Sequence, residues 1–371
     1  YVVPQGLTNG TYEVWIHNGH GGKYGWSRSP VNLNVADAPT WTGTVRNVKS
    51  YGATGDGVTD DSAFIQAAIA ALQPGDQLYL PAGTYQCYTS TFTVPANARV
   101  YGDGMASTMW MSAKVTFGGN TRIEQLSFEN QQGIRPSAPY LWMDSVSVHE
   151  TGWLSYNIMN LSGVNHAYIT NSTFIGNKVL NVSYQTFFDN CTFKARYDTE
   201  SCLEAWGNSQ LSVTHCTFQH YDMSNPSHPS GWGEGRAWVG YAHWGNHQKQ
   251  YFGNNRTVDF VVRTGGGDQN SGEMLLWEGS YPFYNGAITA ATSDTITFDP
   301  GADVPTTAMR IVVTGGKGVG QVRSVASYDA GTFTTTLTEP WNVIPDPASS
   351  TILLVRTFDK VVVYQNYFDG T

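Results

Sequence analysis

Asn171-Ser172-Thr173-Phe174, Asn190-Cys191-Thr192-Phe193, His215-Cys216-Thr217-Phe218 and Gln365-Asn366-Tyr367-Phe368 are four versions of one phrase. Each closes a longer stretch in which apolar and polar residues alternate. The stretches are Arg122 to Phe128, Trp142 to Val148, Tyr168 to Phe174, Phe187 to Phe193, Leu211 to Phe218, Tyr251 to Val258 and Val361 to Phe368. Through Phe218 their ends return about every 20 to 26 residues, with polar loops between. Strands of that length at that period predict an all-β chain wound as a parallel β-helix, one coil per repeat. Cys191 and Cys216 hold the same place in the phrase, so they are expected on adjacent coils as two reduced thiols in an apolar ladder.

Working outward, residues 1–37 read as a partial immunoglobulin-like β segment. Thr11 to Ile16 and Val31 to Val35 alternate at period two around the turn-rich Asn18 to Gly22. Residues 38–45, with Pro39, read as a linker, and 46–262 as the β-helix with its N-terminal cap. In that cap Phe64, Ile65, Ala68, Ile69 and Leu72 share one helical face, Asp60 or Asp61 caps the helix, and Pro74-Gly75-Asp76 stops it. The long interval before Phe368 is read as an inserted small β module over 263–357, with 358–371 returning to the β-helix. The chain begins at Tyr1 without Met and stops just after a coil. The expectation is a processed or partial product, continued or covered by another subunit at its end.

Composition narrows the function. The formal net charge is −9 with a sequence pI near 5.4, which disfavours nucleic acid as a partner. Charged residues are 13% and aromatics also 13%, so the low charge is not the signature of disorder. No apolar run approaches the ~20 residues of a membrane span. The four cysteines match neither a disulfide framework nor a zinc spacing.

Val48-Lys49-Ser50-Tyr51-Gly52-Ala53-Thr54-Gly55-Asp56-Gly57-Val58-Thr59-Asp60-Asp61, the helix after it, and Leu80-Pro81-Ala82-Gly83-Thr84-Tyr85 resemble the opening of the pectate lyase-like β-helix superfamily. That group includes polygalacturonase-like hydrolases, β-1,3-glucanases, alginate epimerases and phage tailspikes. The resemblance covers about residues 45–105, and the repeats extend it to about 260. It implies a right-handed parallel β-helix with an N-terminal helical cap, secreted or at the cell surface, that acts on or binds polysaccharide. The catalytic motifs of the individual families do not carry over. Gly19-His20-Gly21 lies outside the β-helix, Asp60-Asp61 lies in the cap, and the epimerase signature is absent.

Chemistry concentrates in residues 194–247, which hold His215, His220, His228, His243 and His247 and also Trp206, Trp232, Trp238 and Trp244. Glycoside hydrolysis needs two carboxyl groups flanking the bond. Asp198 follows Phe193 by five residues and Asp222 follows Phe218 by four, so the two are expected as neighbours on adjacent coils. Glu200 and Glu234 are the next catalytic candidates. Arg196, Trp206, His220, Trp232, Arg236 and His243 are the candidate substrate contacts. The alternatives are plain: Asp198 and Glu200 paired with Lys194 and Arg196 on a solvated loop, Asp222 in an Asx turn, and tryptophans that only pack. A lyase or epimerase would use Lys194, Arg196 and Arg236 to neutralise a uronate, with Ca2+ on Asp198, Glu200 and Asp222. A non-catalytic adhesin or surface-assembly role is the third reading. No cofactor is required by the hydrolase reading.

Overall fold

The computed structural model describes residues 6–17, 19, 22–27, 29–36, 40–137, 139–151, 157–181, 184–196, 201–205, 210–222, 236–241, 247–258, 275–278 and 282–368. The chain divides into two compact units between Thr42 and Gly43. In the first, Gly10–Val14 pairs antiparallel with Val31–Val35, and the His17 and Trp26 rings meet edge to face at 4.9 Å. The first strand ends at Val14, short of Ile16. Among the described residues no further strand joins this pair, so the immunoglobulin-like expectation has only a two-stranded ribbon beneath it.

The second unit is a parallel β-helix with three faces. Face one carries Gln77–Leu80, Arg99–Gly102, the start of Tyr140–Glu150, His166–Thr170, Gln185–Asp189, Gln210–Thr214, His247–Gly253 and Phe358–Tyr364. Face two carries the end of Tyr140–Glu150, then Thr173–Gly176, Thr192–Arg196, Thr217–Asp222, Arg256–Val258 and Tyr367–Phe368. Face three carries Ile134–Pro136, Met159–Asn160, Val179–Asn181, Ser201–Ala205, Arg236–Tyr241 and Leu275–Glu278. Inward residues stack coil on coil. Phe174, Phe193 and Phe218 are all buried, with ring centroids 5.3 and then 4.9 Å apart. Among the described residues no helix is long and apolar enough to cross a membrane.

Each repeated phrase is the corner between faces one and two. Its first residue adopts positive φ: 51° at Asn171, 53° at Asn190, 52° at His215, 56° at Asn254 and 48° at Gln365. Asn and other short polar residues tolerate that left-handed conformation best. The second residue points inward and caps the coil before it. The Val146 amide donates to Ser172 Oγ at 3.2 Å and the Cys191 amide to Cys216 Sγ at 3.4 Å. The Cys216 amide donates to Asn255 Oδ1, and the Asn255 amide to Asn366 Oδ1, both at 2.9 Å. A corner amide leaves the strand ladder and would otherwise be buried unpaired. All four cysteines are free and buried, and Cys191 and Cys216 do lie on adjacent coils. The ladder corrects one frame. Phe218 is level with Thr257, not Val258, and Phe187 and Ser212 are level with Tyr251 and Val362 on later coils.

The opening motif is also explained by geometry. Asp56 accepts the Val58 and Thr59 amides at 2.8 and 2.7 Å. Asp61 stands at the N-terminus of the helix Ser62–Ala70, but its carboxylate turns back to the Thr54 and Gly55 amides at 2.7 and 3.0 Å. Asp60 accepts the Ser62 amide instead. A Cβ on Gly83 would lie 2.6 Å from the Gly55 carbonyl oxygen, so the motif and the Pro81-Ala82-Gly83 turn close on each other only through glycine. Ile65, Ala68, Ile69 and Leu72 are buried against the first coils, while the helix ends at Ala70, ahead of Pro74.

Leu275–Glu278 still pairs with Arg236–Tyr241, so the β-helix extends past the expected boundary at 263. The inserted module is a seven-stranded antiparallel sheet running from Tyr284–Ala287 to Thr351–Val355. It has a separate core of Ile288, Ile296, Phe298, Ile311, Val313, Trp341, Ile352 and Leu354 among others. Phe358–Tyr364 then pairs directly with His247–Gly253.

Candidate active site

The corner between faces two and three carries the unusual polar burial. Glu150 ends its strand fully buried. Gly176, on the next coil, makes room for it. A Cβ there would lie 2.9 Å from Glu150 Cβ and 3.2 Å from its Oε2, and φ is +136°. Asn177 is 6% exposed, and Lys178 after it forms an ion pair with Glu204, which is 1% exposed. Glu204 sits in Ser201–Ala205, a strand buried along its length. An isolated charge at that depth costs several kcal/mol; Lys178 offsets it. Arg135 is half-buried, and its Nη1 donates to the Ile134 and Asn157 carbonyls at 2.9 and 3.0 Å. Arg135, Glu150, Lys178 and Glu204 thus place cation and acid in turn on four successive coils. Glu150 and Glu204 are buried, so they order this corner from within instead of touching a substrate.

The backbone ladder brings part of the sequence-predicted cluster to this corner. Gly176 is level with Ala195, and Ala195 with His220. The register then shifts, and Arg196 is level with Asp222. Thr217–Asp222 is one residue longer here, so Asp222 faces the rung of Arg196. The bulge thus shifts Asp222 by one rung, while Asp198, its expected neighbour on the adjacent coil, lies outside the described residues. Arg236 begins its strand level with Ser201 on face three. The side chains of Arg196, His220, Asp222 and Arg236 are not described. Asp198, Glu200, Trp206, Trp232, Glu234 and His243 lie outside the described residues. Among the described residues no three His, Cys, Asp or Glu side chains converge as metal ligands.

Sequence reasoning passed over Glu150, Lys178 and Glu204 as site residues. A signal for Glu204 was present: a lone charge within Ser201-Cys202-Leu203-Glu204-Ala205, in a chain of only 13% charged residues. Trp238 was counted among the clustered aromatics but is fully buried, so it packs in the core.

Residues 45–220 match the family model described as Rhamnogalacturonase A/epimerase, pectate lyase-like. A stretch of 71 residues is 44% identical to mannuronan C5-epimerase AlgE1 of Azotobacter vinelandii, covering 17% of this chain and 5% of that protein. A stretch of the same length is 39% identical to alginate lyase 7 of the same organism, covering 17% and 8%. The match thus spans a small part of these relatives' own length. Among solved structures, pectin methylesterase PemA from Erwinia chrysanthemi is similar over 90% of this chain and 91% of its own, at 10% identity and a TM-score of 0.39. The three stacked faces, the capping helix and the match over residues 45–220 place that part of the chain in the pectate lyase-like parallel β-helix superfamily.

Proposed function

We propose that the chain is a secreted protein acting on an acidic polysaccharide at the corner between faces two and three, by removing the proton beside a uronate carboxylate. The observation that carries this reading is the register of Arg196 with Asp222, next to the Lys178–Glu204 pair. On the described rungs there, a cation and an acid stand level. Removing a proton α to a carboxylate needs a base together with positive charge that stabilises the enolate. Arg196 and Arg236 would hold the substrate carboxylate, while His220, Asp222 and Asp198 supply base and acid. Glu200, Glu234 and His243 would order these groups, and Trp206 and Trp232 would offer rings to sugar faces. The relatives named as a mannuronan C5-epimerase and an alginate lyase favour the same bond. These local cations also answer the overall acidity, which by itself repels a polyanion.

A single experiment separates the readings. Polymannuronate and polygalacturonate are incubated with the protein in D2O, and three products are followed: deuterium at C5, unsaturated uronate by its ultraviolet absorbance, and new reducing ends. Deuterium or unsaturation, lost in R196A, is the expected result. Reducing ends without either would establish hydrolysis through Asp198, Asp222, Glu200 or Glu234, the reading favoured by the position of Asp222 at the corner. Binding without any product would make the chain a glycan-binding surface protein. Loss of turnover with a chelator, restored by Ca2+, would assign Asp198, Glu200 and Asp222 to the ion.

A further inference from the structure

Face one carries a stack of rings on its outer side. Trp142, Tyr168 and Phe187 occupy one row on three successive coils. Trp142 and Tyr168 lie 6.4 Å apart at 14°, and Tyr168 and Phe187 lie 5.3 Å apart at 3°. The next rung of that row is Ser212, and the one after it is Tyr251. Tyr251 leans toward Gly253, whose missing side chain leaves space for its hydroxyl. Among the described residues Tyr168 is the only ring against Phe187. The stack therefore stops with one ring face turned toward a serine.

We propose that the Ser212 rung is a slot for one neutral pyranose ring, stacked on Phe187 and hydrogen-bonded to the groups beside it. Neighbouring coils lie about 4.8 Å apart, so the Phe187 and Tyr251 rungs are roughly 9.6 Å apart. Ring stacks place centroids about 4.5–7 Å apart, so one ring fits between them and two do not. A pyranose has the C–H face that stacks on an arene and the hydroxyls that the surroundings can use. Gln210 and Thr214 flank Ser212 on the same side of its strand. Asp189 is one coil away; its Oδ1 receives Thr214 Oγ1 at 2.6 Å and His215 Nδ1 at 2.8 Å. Its Oδ2 accepts no hydrogen bond among those described. A carboxylate with an open oxygen receives a hydroxyl and repels a uronate, which selects a neutral sugar. The slot lies on a different face from the proposed active site, and it is tested by binding alone.

Titration calorimetry with cellohexaose, mannohexaose and a trimannuronate probes it. At least one neutral oligomer should bind, and Ser212→Tyr, which supplies the missing ring from the protein itself, should weaken that binding about tenfold or more. Phe187→Ser, which removes the platform, should do the same if Ser212→Tyr does not fold. The melting temperature of the Ser212→Tyr protein should equal or exceed that of the parent, since the stack is extended. The proposal is overturned if neither neutral oligomer binds, if trimannuronate alone binds, or if both folded variants bind as the parent does.

Discussion

At the scale of the residue, the corner ladder concentrates stability in a few polar atoms. Asn255 accepts the Cys216 amide and donates through Nδ2 to the Val213 carbonyl at 2.8 Å, all of it buried. Replacing Asn255 by Leu strands both backbone groups and should cost about 1–3 kcal/mol for each group left unsatisfied. Thermal melting of the variant measures it. The acids of the opening motif set a pH limit. The amides of Thr59 and then Val58 hold Asp56 at about 2, below its usual 3.8. A depressed carboxyl stabilises the fold at any pH above its unfolded value, and that contribution is lost as pH falls from about 4 to about 2. Asp56→Asn should flatten the acid side of the stability curve across that window and leave the neutral side parallel to the parent's. Asp144 and Asp189 share the direction: burial raises each, but hydrogen bonds from Thr170 and Asn171, and from Thr214 and His215, outweigh it. Burial pushes the Cys87 thiol up to about 12 and Cys216 well above its ordinary value. Thiol reagents should therefore leave the native protein unlabelled and modify four cysteines only after unfolding, as mass spectrometry would show.

At the scale of the element, the inward rings of face two are the stress-bearing column. Phe193 lies between Phe174 and Phe218 and touches Phe188 edge to face at 5.3 Å. Phe193→Ala should cost about 3–5 kcal/mol, because rigid neighbours on both coils cannot collapse into the gap. Denaturant unfolding followed by far-ultraviolet dichroism reads the loss. This column was legible because Phe174, Phe193 and Phe218 recur in a fixed phrase. The same phrase passed unrecognised at Asn254-Asn255-Arg256-Thr257, since Thr replaces the aromatic, and the frame slid to Val258. Local chemistry decided that register: the left-handed residue and the capping Asn fix the corner, whatever follows. The candidate site was less legible. Composition points to residues 196–236, many of which lie outside the described residues, and the pairing of Asp222 depends on a bulge that no count from Phe218 foresees. Glu150 and Lys178 were hidden because each is one charged residue at the end of or just before an ordinary strand, and only the coil above reveals the burial of Glu150 and the ion pair of Lys178.

At the scale of the whole molecule, two cores share one chain. The β-helix core runs from Val48 to Phe252, and the module core from Ile288 to Leu354. A shortened chain that joins Glu278 to Phe358 through a brief glycine-serine linker should keep the Phe358–Tyr364 pairing with His247–Gly253. Closing the shorter loop changes the entropy by only a fraction of a kcal/mol for each doubling of length. Calorimetry of the parent should show a transition that the shortened chain lacks, with the remaining transition near its parental temperature. The insertion point has a meaning beyond stability. Because the last face-three strand and the next face-one strand would be joined by a turn in any case, the module is a passenger on a track that does not need it. Insertion or loss of a whole folded cargo at this point leaves every rung in frame, so recombination can exchange what the protein carries without renegotiating how it folds.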